Sequence, residues 1–154
     1  MTDDLVIRPV RGQGEYPRLV QVWRTSVDAT HDFLAREHRD AIEAKLEAEY
    51  LPHVKIVVAE RYGTPVGFAG TADGKLEILF VDADHRGSGV GSELLQHALV
   101  AEGVTAVDVN EENGQAVGFY ERAGFAVVKR SPLDSDGLPY PILHMDLVAG
   151  DGGR

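Results

Sequence analysis

The 154 residues, 44% of them apolar and with 17 glycines and 7 prolines scattered along the chain, fit one compact domain and exclude a disordered or fibrous polypeptide. A net charge of -10, from 25 acidic against 15 basic side chains, repels phosphate backbones and disfavours nucleic acid as a partner. The absence of cysteine removes disulfides, thiolate metal sites and a cysteine nucleophile, so acyl transfer through a cysteine is excluded.

The start, Met1-Thr2-Asp3-Asp4, has no basic patch followed by an apolar run, and no stretch approaches the about 20 apolar residues of a membrane span. A cytoplasmic location without a membrane partner is therefore expected. Leu5 to Pro9 reads as a first strand, and Glu15 to Val27 as a helix with Leu19, Val20, Val22 and Trp23 on one stripe. Ser26 to Leu34 mixes small polar, ionisable and aromatic residues without periodicity and reads as a structured loop. A second helix is expected from about Arg36 to Tyr50, stopped by Pro52.

Ile56 to Ala59, Val66 to Ala69 and Leu76 to Val81 then read as three antiparallel strands, with turns at Gly63-Thr64-Pro65 and Asp73-Gly74. A glycine loop from Asp82 to Gly91 precedes a helix from Glu93 to Val100. Next come a strand at Thr105 to Val109 and a helix at Gly114 to Ala123, capped by Gly124. Phe125 to Lys129 and Ile142 to Leu147 form the last two strands, joined by a long connection through Asp136-Gly137. Residues 1–148 are expected to form a single domain and residues 149–154 a frayed tail.

A glycine loop between a strand and a helix start gathers backbone N–H groups at the positive end of the helix dipole, which suits a pyrophosphate. A P-loop would end in Gly-Lys-Ser/Thr, but Gly91 is followed by Ser92 and Glu93. A dinucleotide fingerprint would begin at the strand end, but Asp82 to His85 intervene and position 92 is serine. Taken alone, the loop is equally compatible with a ligand site and a plain turn.

Arg86-x-x-Gly89-x-Gly91, preceded by Leu79-Phe80-Val81-Asp82, resembles the coenzyme-A pyrophosphate motif of the GNAT N-acetyltransferases. Downstream, Asn113-x-x-Ala116-x-x-Phe119-Tyr120-x-x-x-Gly124-Phe125 resembles the adjoining helix motif, in the family's order and separation. The order of strands and helices over nearly the whole chain is also the GNAT order. The 26–34 loop and Pro139-Tyr140-Pro141 are similar to a bacterial subgroup described as lysine-directed.

The resemblance implies an α/β (α+β) acyl-CoA N-acyltransferase fold, with a mixed, mostly antiparallel sheet of about seven strands flanked by about four helices. It also implies a bulged strand before the glycine loop and a sheet splayed between the fourth and fifth strands. Acetyl-coenzyme A becomes the expected cosubstrate. Phe80 and Val81 would offer backbone groups to its pantetheine arm, while Arg86, Gly87, Ser88, Gly89, Val90 and Gly91 would hold its pyrophosphate. Asn113, Ala116 and Tyr120 stand at i, i+3 and i+7, on one helical face that can meet the cofactor.

By resemblance Tyr120 protonates the departing thiolate; packing in the core beside Phe119 is the alternative. Glu77 is the candidate base for the amine, directly or through water, against a plain exposed strand glutamate. Asp28, Thr30 and His31 lie where the family forms its acceptor site, although an isolated histidine also serves as an ordinary structural hydrogen-bonding group. The six histidines show no metal spacing, so no metal is expected.

The function expected is direct acetyl transfer from acetyl-coenzyme A to a small-molecule or peptide amine through a ternary complex. The competing reading is a coenzyme-A-binding sensor that no longer catalyses. Monomer and homodimer both remain open.

Overall fold

The computed structural model describes residues 5–30 and 35–148. The chain falls into two compact units, divided in sequence between Val104 and Thr105. Together the described residues form seven strands and four α-helices, as expected.

The first unit contains β1 (Leu5–Pro9), α1 (Tyr16–Thr30), α2 (Arg36–Lys45), β2 (Lys55–Arg61), β3 (Thr64–Ala72), β4 (Lys75–Val81) and α3 (Val90–Ala101). Its strands pair antiparallel in sequence order. Leu19, Val22, Trp23 and Val27 recur at helical spacing on α1 and are buried against Ile56, Val58 and Phe68. Burying each such side chain contributes about 1.5–3 kcal/mol. Phe80 joins this cluster through an edge contact with Trp23 and a tilted contact with Phe68.

β3 is buried along nearly its whole length, as a strand covered on both faces must be. Its other face meets α3. A Cβ added at Gly67 would lie 2.9 Å from a Val90 methyl and 3.1 Å from a Leu94 methyl, so the missing side chain allows helix and strand to approach closely.

The second unit contains β5 (Ala106–Asn110), α4 (Gly114–Arg122), β6 (Phe125–Ser131) and β7 (Ile142–Leu147). β7 lies between β5 and β6 and pairs antiparallel with both. Val107, Val109, Tyr120, Phe125, Tyr140 and Met145 are its buried residues. The ladder between β6 and β7 slips at Val128: Val127 pairs with Met145, and Lys129 pairs with His144.

Four sequence expectations are corrected. Ser26 to Thr30 continue α1 instead of opening a loop, because Ser26 and Val27 are buried and Arg24 bridges to Asp28 one turn on. α2 ends at Lys45, and Leu46–Tyr50 form a wider π-type turn. Pro52 lies just beyond and cannot donate to or fit against a regular helical turn. The hairpin after β2 turns at Tyr62 and Gly63, whose φ angles of 54° and 80° suit a two-residue connection, so β3 starts at Thr64. α3 starts at Val90, three residues earlier than expected, because the Val90 side chain is buried and pins the first turn. The expected tail, residues 149–154, lies outside the described residues.

Candidate functional site

β4 carries a bulge before the glycine loop, as the resemblance implied: Gly70 pairs with Ile78 and Thr71 with Leu76, leaving Glu77 as the extra residue. Glu77 is exposed. Phe80 has its ring in the core and Val81 is half-buried opposite Gly67, so a cofactor could use the main chain here.

The exit from β4 is anchored at Asp82, a buried carboxylate. Its N–H donates to the Val66 carbonyl at 2.8 Å, Oδ1 accepts from the Asp84 N–H at 3.0 Å, and Oδ2 accepts from Arg18 at 3.2 Å. Arg18 also donates to the Pro65 carbonyl, and the Ala83 N–H donates to Thr25 Oγ1 at 3.1 Å. These bonds tie the loop entry to α1 and β3 through partners whose sequence positions give no hint of it.

After a helical turn at Ala83–His85, the Ser88 hydroxyl donates to the His85 carbonyl. Gly87 and Gly89 have φ angles of 76° and 90°, a region that strains any residue with a side chain. Gly89 precedes the first helical residue, and no side chain caps α3. Its first backbone bond of this kind runs from the Glu93 N–H to the Gly89 carbonyl at 3.0 Å. The N–H groups of Val90, Gly91 and Ser92 therefore have no earlier helical carbonyl to bond.

A Cβ placed on Gly87 or Gly89 would meet nothing within 4 Å, so the loop has open room on its outer side. Arg61, at the end of β2, donates to Ser88 Oγ at 3.2 Å and brings a cation to the loop. Uncapped amides, left-handed glycines, open space and a guanidinium fit a diphosphate. Arg61 was not among the sequence candidates; only the β2–β3–β4 register reveals that the hairpin end lies beside the loop.

In the second unit, Asn113 is the cap of α4: its Oδ1 accepts from the Ala116 N–H at 3.1 Å. Asn113 and Ala116 are thus joined by the start of the helix itself. Tyr120, on the same helix, is buried and meets Phe119 and Phe125 edge-on at 5.1 and 5.9 Å between ring centres. Burial pushes its phenol above the ordinary tyrosine value, because the phenolate would lose its water.

Of the acceptor candidates, Asp28 lies on α1, bridged to Arg24 at 3.2 Å and to Arg39 at 3.3 Å. Arg24 also meets Asp40 and Glu43. The Asp28 carboxylate therefore belongs to an ion-pair network between α1 and α2. The Thr30 side chain and His31 lie outside the described residues.

The chain matches the model of an acetyltransferase (GNAT) domain over residues 22–147. It is 45% identical over 133 residues to the peptidyl-lysine N-acetyltransferase YjaB of Salmonella typhimurium, covering 85% of this chain and 90% of the relative. The solution structure of apo YjaB from Escherichia coli superposes with a TM-score of 0.87 at 42% identity, covering 97% of this chain and all of that one. At the level of fold alone, the chain is similar to the PaiA N-acetyltransferase from Thermoplasma acidophilum, solved in complex with coenzyme A, with a TM-score of 0.74 at 18% identity. That alignment covers 96% of this chain and 100% of the other.

Proposed function

Since the chain belongs to the GNAT acetyltransferase family, we propose that it moves the acetyl group of acetyl-coenzyme A directly onto a peptide amine, with a lysine side chain as the acceptor. The observation that carries this reading is the uncapped start of α3 behind two left-handed glycines, an arrangement that suits a diphosphate. The peptidyl-lysine activity of a relative at 45% identity supports the choice of acceptor.

In this mechanism the loop from Arg86 through Gly91, with Arg61, holds the diphosphate. Main-chain groups of Phe80 and Val81 orient the pantetheine arm and the thioester carbonyl, while Asn113 and Ala116 serve as the α4 contacts to the cofactor. The amine attacks the carbonyl carbon, the C–S bond breaks, and Tyr120 gives its proton to the departing thiolate. Burial keeps the Tyr120 phenol protonated but also makes it a weaker acid, so it shares its proton with the sulfur only as charge builds there.

A lysine must first lose its own proton, at a cost of about 4.6 kcal/mol at pH 7, against about 1.4 for an α-amine. Glu77, the exposed extra residue of the β4 bulge, is assigned the base role, through water where the reach requires it. Acceptor recognition is assigned to Asp28, Thr30 and His31 at and beyond the end of α1.

The test is release of free thiol from acetyl-coenzyme A in the presence of lysine peptides, α-amine peptides, polyamines and free amino acids. Lysine peptides should give the highest rate, with the acetyl group found on the lysine Nζ by mass spectrometry. A preference for another amine would overturn the acceptor assignment, and no thiol release with any amine would overturn catalysis.

A further inference from the structure

Three side chains outside the proposed transfer chemistry form a continuous hydrogen-bonded chain on the sheet of the second unit. His144 of β7 lies with Nδ1 2.7 Å from Asp108 Oδ1 of β5 and Nε2 2.7 Å from Ser131 Oγ of β6. A carboxylate only accepts hydrogen bonds, so Nδ1 donates to Asp108; in the neutral imidazole Nε2 then holds the lone pair and accepts from the Ser131 hydroxyl. We propose that Ser131, His144 and Asp108 are a nucleophile, a base and an orienting acid, and that this chain hydrolyses small activated acyl esters through an acyl-serine.

The arrangement depends on one irregularity. Asp108 pairs directly with His144, so the two share a face of the sheet. With an unbroken β6–β7 ladder, continuing from Val127 opposite Met145, Ser131 would project from the other face. The extra residue at Val128 shifts the register by one and places Lys129 opposite His144 and Ser131 opposite Ile142, on the face that carries His144. The shift also places Lys129 directly opposite His144, on the same face of the sheet. The His144 and Asp108 side chains keep 29% and 32% of their surface exposed, so a small ester can reach the group.

The chemistry closes without another reagent. Ser131 Oγ attacks the acyl carbon and its proton passes to His144 Nε2. The ester C–O bond breaks, and His144 returns that proton to the leaving alcohol. Water, deprotonated by His144, then cleaves the acyl-serine, releasing the acid and restoring the serine.

The experiment uses the full chain without coenzyme A, and therefore reads independently of amine acetylation. The protein is treated with p-nitrophenyl acetate and, separately, with a fluorophosphonate serine probe, and adducts are located by mass spectrometry. The expected result is one adduct, on Ser131, lost in Ser131→Ala and reduced at least 10-fold in rate in His144→Gln and Asp108→Asn. Ester hydrolysis should fall in parallel, while far-ultraviolet circular dichroism stays unchanged for Ser131→Ala. A conservative Ser131→Cys variant should restore an acetyl adduct at position 131 that again depends on His144. An adduct elsewhere, no adduct at all, or hydrolysis that survives Ser131→Ala would overturn the proposal.

Discussion

Tyr120 sits edge-on to both Phe119 and Phe125, and the burial that packs it also retains its proton. The two readings open at the level of sequence, core residue and acid, are therefore physically compatible. Replacing Tyr120 with phenylalanine keeps both ring contacts and removes only the hydroxyl. Turnover should drop by about 10²-fold or more, the usual worth of a positioned proton donor, while coenzyme A affinity by calorimetry stays nearly constant. Unchanged turnover would remove Tyr120 from the chemistry. The same burial has a spectroscopic consequence: the phenolate absorbance that develops around pH 10, the ordinary tyrosine range, should be the same in wild type and Tyr120→Phe. Glu77 gives a different signature, because a base matters more for a lysine than for an α-amine. Glu77→Gln should slow acetylation of lysine peptides several-fold more than that of α-amine peptides at pH 7.

At the scale of elements, the glycine loop is a part that the sequence located and whose construction it concealed. Gly87 and Gly89 are recognisable from their spacing, and the structure gives both the positive φ angles that such a loop requires. Gly89→Glu forces a side chain into that region and sets a carboxylate at the uncapped start of α3, so coenzyme A binding should be lost in calorimetry. Retained affinity would refute the position of the diphosphate. The supports of the loop were illegible because they come from long range. Asp82 lies 64 positions from Arg18, and Arg61 lies 27 from Ser88, and no local pattern announces either contact. Helix ends were misread for the opposite reason. Ser26 to Thr30 have weak local helical character, yet burial and the Arg24–Asp28 bridge carry α1 through them. The strands were legible because their apolar runs and turn residues are local features, and even there the bulges at Glu77 and Val128 appear only in the pairing.

Across the whole chain the acidic surplus of ten charges leaves few basic side chains, and several of those are committed to holding elements together. Arg8 of β1 bonds Glu15 at 2.6 Å and Glu60 of β2 at 2.7 Å, and the hydrogen bond from Arg8 holds Glu15 below its ordinary value of 4.5. The stability this pair supplies is fully present above pH 4.5 and is lost as pH falls through the lowered folded value. Thermal midpoints should therefore decline below pH 4.5, and Glu15→Gln should flatten that acid limb; an unaltered limb would exclude Glu15 as its source. The strand-to-helix distance at Gly67 has a consequence of another kind. Since no atom can be added there without pushing Val90 away, residue 67 acts as a spacer of fixed thickness beneath the first turn of α3. The height of the first turn of α3 above the sheet is thus set by the absence of a methyl group. A Gly67→Ala protein that kept its fold would offer its amides to the proposed diphosphate from a displaced perch.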